Sequence, residues 1–344
     1  MKILIISEGR YVLYGDAFEK TFKKLGYEAK HFKWDVYFDL KKTTHKIQNK
    51  FLIGPILRKI NQDILSISHN FKPDLVFVYR GTHVYPKTIK EIKKSGAKVF
   101  GYNNDDPFSD RYKLLDFRLW SLYKKSIFEY DWIFSYRWKN IEDYKHIGYH
   151  KTSLLRSYYI KDRNFYIEDI NKKYDVIFIG HFEDDGRDET IKYLLDNDIN
   201  IKLFGTFWHK SKYYNFFINK MGNIESLYGE EYNITINQAK IALVFLSKLN
   251  NDTYTRRCFE IPATKTMMLS EYTDDLAKNL FVEGKEAEYF RDKNELLEKI
   301  KFYLKHEKNI KDTGKHGYKR LLNDGHEVSS RCKDIIKVYD EYIN

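Results

Sequence analysis

At 344 residues the chain exceeds the usual reach of one hydrophobic core, so two domains are expected. A formal net charge of +11 favours anionic partners such as a nucleotide, a phosphate-bearing substrate, nucleic acid or an acidic membrane surface, although a lysine-rich surface alone gives the same figure. Two distant cysteines, Cys258 and Cys332, argue against a disulfide framework or zinc site and fit a reducing cytoplasm, and no stretch approaches the ~20 apolar residues of a membrane span.

Short apolar runs at 2–7 (KILIIS), 74–79 (DLVFVY), 97–102 (AKVFGY), 131–136 (DWIFSY) and, more weakly, 152–156 (TSLLR) predict strands. They lack strict alternation, as strands buried on both faces of a parallel sheet do. Helix-like segments at 15–26, 45–70, 86–95, 110–129 and 138–147 lie between them, which makes a doubly wound βαβ pattern. A polar stretch, 159–175, reads as a linker. The pattern then restarts with strands at 174–180, 199–205, 240–247 and 266–270 and helices from about Asp188, at 229–239 and at 254–264. Two Rossmann-like α/β domains in tandem follow, 1–160 and 172–325, with a terminal amphipathic helix over 326–344 that must dock somewhere.

In such domains ligands gather beyond the carboxyl ends of the strands, and two facing domains put the default site in the cleft between them. After the first strand, Gly15 and Asp16 open a helix whose amides suit a polar group of an acceptor; a plain surface loop is the alternative. The second strand offers Arg80 and His83. The third leads to Asp105 and Asp106, read either as a general base for an acceptor hydroxyl or as ordinary turn chemistry before Pro107. Beyond the linker, Gly180 and Gly186 would let amides approach phosphate oxygens, with Arg187 adding charge. In the run 252–263, Glu260 can accept from both vicinal hydroxyls of a ribose while Arg257 neutralises a diphosphate; the competing reading is an internal Arg–Glu ion pair.

Residues 252–304 resemble the C-terminal half of the spore-maturation (CgeB-type) glycosyltransferase-like family. Its string is matched by Asp252, Thr255, Arg257, Phe259, Glu260, Ile261, Pro262 and Ala263, with further matches in FVEGKEAEYF (281–290), Gly314, His326, Arg331 and NNDDPF (103–108). The likeness is dense over 225–335 and thin over 1–170. It implies a GT-B fold with a nucleotide-sugar held mainly by the second domain, the acceptor by the first, and a final helix that crosses back to the N-terminal domain. It also puts Glu260 in the place of the ribose-binding glutamate of a Glu-x7-Glu motif, with Asp252 as a shorter acid eight positions earlier. Where relatives carry a glycine after the Ile-Pro-Ala string, this chain has Lys265, which either supplies charge near the diphosphate or faces solvent.

The expected reaction is therefore sugar transfer from a nucleotide-diphosphate donor to a hydroxyl on a glycan, glycolipid or glycoprotein. Arg257 and Arg187 would stabilise the leaving diphosphate without metal or other cofactor, and Asp106 or Asp105 would act as base if the reaction inverts the anomeric centre. A non-catalytic sugar- or nucleotide-binding protein is the alternative. Nucleic acid is not an expected partner, since the lysines are dispersed and no recognition motif occurs. The basic surface also permits loose contact with anionic lipid.

Overall fold

The structure, a computed structural model, describes residues 1–112 and 118–343. It divides into two units, 1–157 with 328–344, and 158–327. Among the described residues no helix is long and apolar enough to cross a membrane.

The first unit is built on six strands: β1 (Lys2–Ser7), β2 (Glu28–Lys33), β3 (Leu75–Tyr79), β4 (Lys98–Asn103), β5 (Trp132–Ser135) and β6 (Thr152–Leu154), in the order β2-β1-β3-β4-β5-β6. Every pairing is parallel. One face packs Leu4, Ile6, Val76, Val78 and Val99 against Leu57, Ile60, Ile64 and Ile89 of the flanking helices. β2 escapes the sequence reading because its run, EAKHFK, is polar; it forms the sheet edge, with Ser7 of β1 beside Lys33. The single helix expected at 45–70 is two, Thr43–Phe51 and Pro55–Phe71. Leu52 and Gly54 between them have φ of 53° and 101°, and Pro55 suits the first turn of a helix but not its interior. Of the helix expected at 110–129, Ser121–Ser126 is helical, and 113–117 lies outside the described residues.

The final helix, Val328–Ile343, belongs to this first unit. Its apolar face lies along the helix Gly15–Lys24, Tyr339 and Tyr342 set their rings edge-on to Phe100, and the Arg331 guanidinium donates to the carbonyls of Arg156 and Ser157.

The second unit holds β7 (Tyr174–Ile179), β8 (Ile201–Phe204), β9 (Ala239–Val244), β10 (Met267–Glu271) and β11 (Glu288–Phe290), all parallel, in the order β11-β10-β9-β7-β8. Val176, Phe178, Ile241, Leu243, Met267 and Leu269 form its core with Ile191, Leu194, Leu296 and Ile300 from the helices. The polar stretch before β7 is stitched down rather than loose. The amides of Phe165 and Ile167 donate to the side chains of Asn233 and Asn237 on the helix Gly229–Asn237. Because each sheet is wholly parallel, all its strands end at one edge, and that edge gathers the loops that carry the candidate chemistry.

Candidate functional site

In the second unit the chain leaves β9 at Val244, crosses the loop 245–256 and enters the helix Arg257–Ala263, so the first turn of that helix lies at the carboxyl edge of the sheet. Arg257 Nε is buried here without a hydrogen-bond partner, and beside it Thr255 Oγ1 has no partner but the neighbouring Cys258 thiol. The Arg257 guanidinium lies over the Phe178 ring, 5.8 Å from its centroid, and makes no ion pair with Glu260 among the described residues. Buried polar groups are nearly always satisfied, and an orphan costs about 1–3 kcal/mol, so the unpaired Nε at the start of this helix marks a place prepared for a polar ligand. Asp252 shares the loop, half-buried, its amide bonded to the Ser247 carbonyl.

Glu260 is buried at 4% exposure and its Oε2 accepts the Tyr232 hydroxyl at 2.7 Å. The expectation that both its oxygens stand open to a ribose is corrected: a phenol already occupies one. Tyr232, which the sequence reading missed, lines a small internal cavity with Arg257, Ile179 and Ile261. Burial, then the neighbouring Glu260 charge, keeps its hydroxyl protonated.

Arg187 is also placed differently from expectation. Its side chain is 2% exposed, forks onto Asp185 with Nε–Oδ1 2.8 Å and Nη2–Oδ2 2.6 Å, and donates from Nη1 to the His181 carbonyl. All three guanidinium nitrogens are engaged in holding the loop after β7, which makes this arginine a structural clamp first. Gly180 gives its amide to the Phe204 carbonyl and its own carbonyl to the Trp208 indole, so it cannot cradle a phosphate. A Cβ on Gly180 would lie 2.6 Å from the Phe178 ring, and one on the neighbouring Gly205 would lie 2.0 Å from the Gly180 oxygen. Lys265 precedes β10 and therefore sits at the amino edge of the sheet, away from the loops at the carboxyl edge. Its ammonium lies 3.8 Å from the Tyr166 ring centroid and 5.2 Å from that of Tyr318, so neither a diphosphate contact nor free exposure describes it. Its φ of 57° is the left-handed conformation that a glycine would adopt without strain.

Two further acids at this edge were missed. Glu271 ends β10 and takes the Leu246 amide on Oε2 at 2.6 Å; burial raises its pKa. Glu183 accepts from Ser247 and lies 3.6 Å from Arg187. Their signal was available: both directly follow or end an apolar run.

In the first unit, the favoured base Asp106 is fully buried. Its Oδ1 accepts from the Phe108 amide and Asn140 Nδ2, and Oδ2 lies 3.2 Å from Lys139. It pins the loop after β4 to the helix Trp138–His146 and cannot reach an acceptor hydroxyl. His83, also named for the acceptor, is stacked on Trp34 at 3.7 Å and bonded to Thr82 and Asn49; burial, aided by Arg80, lowers its pKa to about 3. It is a neutral core histidine. Gly15 is a close-approach glycine: a Cβ there would lie 2.2 Å from Ser7 Oγ. Beneath it Ser7 Oγ lies 2.7 Å from His31 Nε2, and His31 Nδ1 is 2.8 Å from Asp16. Burial lowers the His31 pKa, and the ring bridges Asp16 and Ser7, whose hydroxyl also reaches the Glu8 carbonyl. Asp16 is thus engaged in a buried relay and with Lys33 at 2.8 Å. Among the described residues, the ligand atoms of Asp16, Glu19 and His31 come within 4.8 Å of one another, but the Lys33 ammonium already supplies the cation.

Asp105 and Arg80 do come together, Nη2–Oδ2 2.9 Å, at the ends of β4 and β3. Arg80 has φ 73° and bonds through its amide to the Tyr102 carbonyl. A third partner, Glu8 directly after β1, went unnoticed in the sequence; its Oε2 lies 3.7 Å from Arg80.

Residues 187–337 match the family model described as Glycosyl transferase-like. Solved structures align over the whole chain. Sucrose-phosphate synthase from Thermosynechococcus elongatus gives a TM-score of 0.73 at 12% identity, covering 100% of this chain and 99% of that one. HepE from Anabaena in complex with UDP-glucose gives 0.70 at 8% identity, covering 99% and 100%. The UDP-GlcNAc 2-epimerase from Neisseria meningitidis bound to UDP-GlcNAc gives 0.54 at 12%, covering 99% and 100%. The fold is GT-B. No curated protein sequence matches the chain. Since transferases and an epimerase share the GT-B architecture, the choice between reactions rests on the family match and on the site.

Proposed function

We propose that this GT-B protein is a metal-independent glycosyltransferase of the CgeB type, moving a sugar from a nucleotide-diphosphate donor to a hydroxyl-bearing glycan, glycolipid or glycoprotein. The observation that carries this reading is the orphaned buried Arg257 Nε, beside Thr255, inside the segment that matches the glycosyltransferase-like family. A diphosphate oxygen there would satisfy the guanidinium and receive a charge-assisted hydrogen bond as the sugar leaves. Glu260 would then accept one ribose hydroxyl on the oxygen that Tyr232 leaves open, with Tyr232 fixing its rotamer. Asp252, in the loop that leads into this helix, is assigned to the sugar end of the donor. The structures of relatives holding UDP or UDP-glucose support a nucleotide-sugar as the donor class.

Calorimetric titration with UDP and other nucleoside diphosphates tests the reading. Binding to the wild-type chain should weaken roughly 10-fold or more in Glu260→Ala and in Arg257→Ala, the loss of a hydrogen bond to a charged group being about 1.5–3 kcal/mol. Unchanged affinity in Arg257→Ala would remove the diphosphate assignment. Binding without turnover of any nucleotide-sugar would instead favour the non-catalytic alternative.

A further inference from the structure

A helix on the surface of a domain turns its apolar stripe inward. The helix Thr43–Phe51 of the first unit does the reverse: none of its residues is buried, and polar side chains attach it to the rest of the unit. Gln48 Oε1 accepts the Ile56 amide at 3.0 Å, Asn49 Oδ1 lies 2.8 Å from His83 Nε2, and His45 Nδ1 accepts the Asp39 amide at 3.0 Å. Ile47 and Phe51, one turn apart, are 47% and 36% exposed, and Ile53 just beyond them is 54% exposed. Val36 and Leu40, ahead of the helix, are exposed as well. We propose that this face docks on an anionic lipid bilayer, with the helix lying in the plane of the interface. The inference concerns the first unit alone and is independent of the reaction proposed above.

Charge selects the occupant. Between Asp39 and Asp63 the chain carries Lys41, Lys42, Lys46, Lys50, Arg58 and Lys59 and no acid. Asp39 lies 3.9 Å from Lys42 and Asp63 lies 2.8 Å from Lys59, while Lys41, Lys46, Lys50 and Arg58 make no ion pair among the described residues. Lys42, Lys46 and Lys50 recur every four residues, so they form a stripe beside the one made by Thr43, Ile47 and Phe51. Lysine stems lie along apolar surface while their ammonium groups reach outward to lipid phosphates. A helix in the interface gains both from its buried apolar side chains and from the field of the anionic headgroups. A second copy of the chain fits poorly, since a symmetric contact would set these cations against themselves. Nucleic acid would engage the lysines and leave Ile47, Phe51 and Ile53 without a role.

Co-sedimentation of the full chain with lipid vesicles tests the assignment. Binding to phosphatidylcholine containing about 30% phosphatidylglycerol should be roughly 10-fold tighter than to phosphatidylcholine alone, and should weaken as salt rises. Ile47→Ser with Phe51→Ser should weaken binding to the anionic vesicles roughly 10-fold, as should Lys42→Gln with Lys46→Gln and Lys50→Gln. All five side chains are exposed, so both variants should unfold at the wild-type Tm and any loss of binding is a loss of contact. Lys301→Gln with Lys308→Gln and Lys315→Gln removes the same charge from exposed positions of the second unit and should change binding by less than about 2-fold. An equal loss in that control, or wild-type binding by the Ile47→Ser, Phe51→Ser variant, would reduce the attraction to net charge and overturn the docking face. No retention on anionic vesicles would overturn the lipid as occupant; a concentration-dependent dimer that disappears in the Ile47→Ser, Phe51→Ser variant would then give the face to a second copy.

Discussion

Arg187 and Arg257 each open a helix at the same edge of one sheet, yet they are opposites. Arg187 is sealed, forked onto Asp185 and bonded to a carbonyl, while Arg257 leaves a buried Nε unpaired above an aromatic ring. The first unit repeats the contrast with acids: Asp106 is saturated and fully buried, whereas Glu8 has only two distant cations. A charge that the protein has satisfied from within holds a loop in shape. A charge left unsatisfied at a strand end is available to a ligand, and folding bears its desolvation cost.

The sharpest way to break this comparison is to delete the sealed members. Arg187→Ala strands the Asp185 carboxylate, whose side chain is 6% exposed. Removing one partner of a buried pair costs about 3–5 kcal/mol, which lowers Tm by roughly 10 °C in a unit of this size. Arg257→Ala removes no partner and should leave Tm within about 2 °C, its effect falling on nucleotide affinity instead. Thermal unfolding beside calorimetry separates the two; equal losses of Tm would dissolve the distinction. Asp106→Ala comes next. It leaves the Phe108 amide without its acceptor and Asn140 and Lys139 with Asp143 alone, at a cost of about 1–3 kcal/mol. Denaturant unfolding should show that cost for Asp106→Ala and almost none for Glu8→Gln, whose carboxylate holds no hydrogen bond to lose.

These pairs also explain what the sequence made legible. Strands such as KILIIS and DLVFVY announce themselves because parallel strands are apolar throughout, so the two-sheet architecture could be read directly. The edge strand β2 could not, since EAKHFK needs to be apolar on neither face along its whole length. At the site, residue type and position located the right loops but not the state of each side chain. Arg187 and Arg257 look alike as letters, and only the Asp185 fork distinguishes them. Asp105-Asp106 gave two equivalent carboxylates, and Asn140, thirty-four residues on, chose which one would be buried. Glu8 was passed over because an acid after a strand is common, and its lack of donors is a property of the packed structure.

The smallest expected effect concerns Lys265, whose place a glycine takes in the family that the sequence resembles. Relieving a φ of 57° gains about 1 kcal/mol, while the greater freedom of an unfolded glycine costs about 0.5–1 kcal/mol. The cation–π contacts with Tyr166 and Tyr318 contribute about 0.5–1 kcal/mol more to the lysine. These terms nearly cancel, so Lys265→Gly should shift Tm by no more than roughly 2 °C. Nucleotide affinity should not move at all, because the residue lies at the amino edge of the sheet, before β10, while Arg257 and Thr255 lie at the other. A tenfold loss of affinity in Lys265→Gly would contradict that separation and return the lysine to the diphosphate.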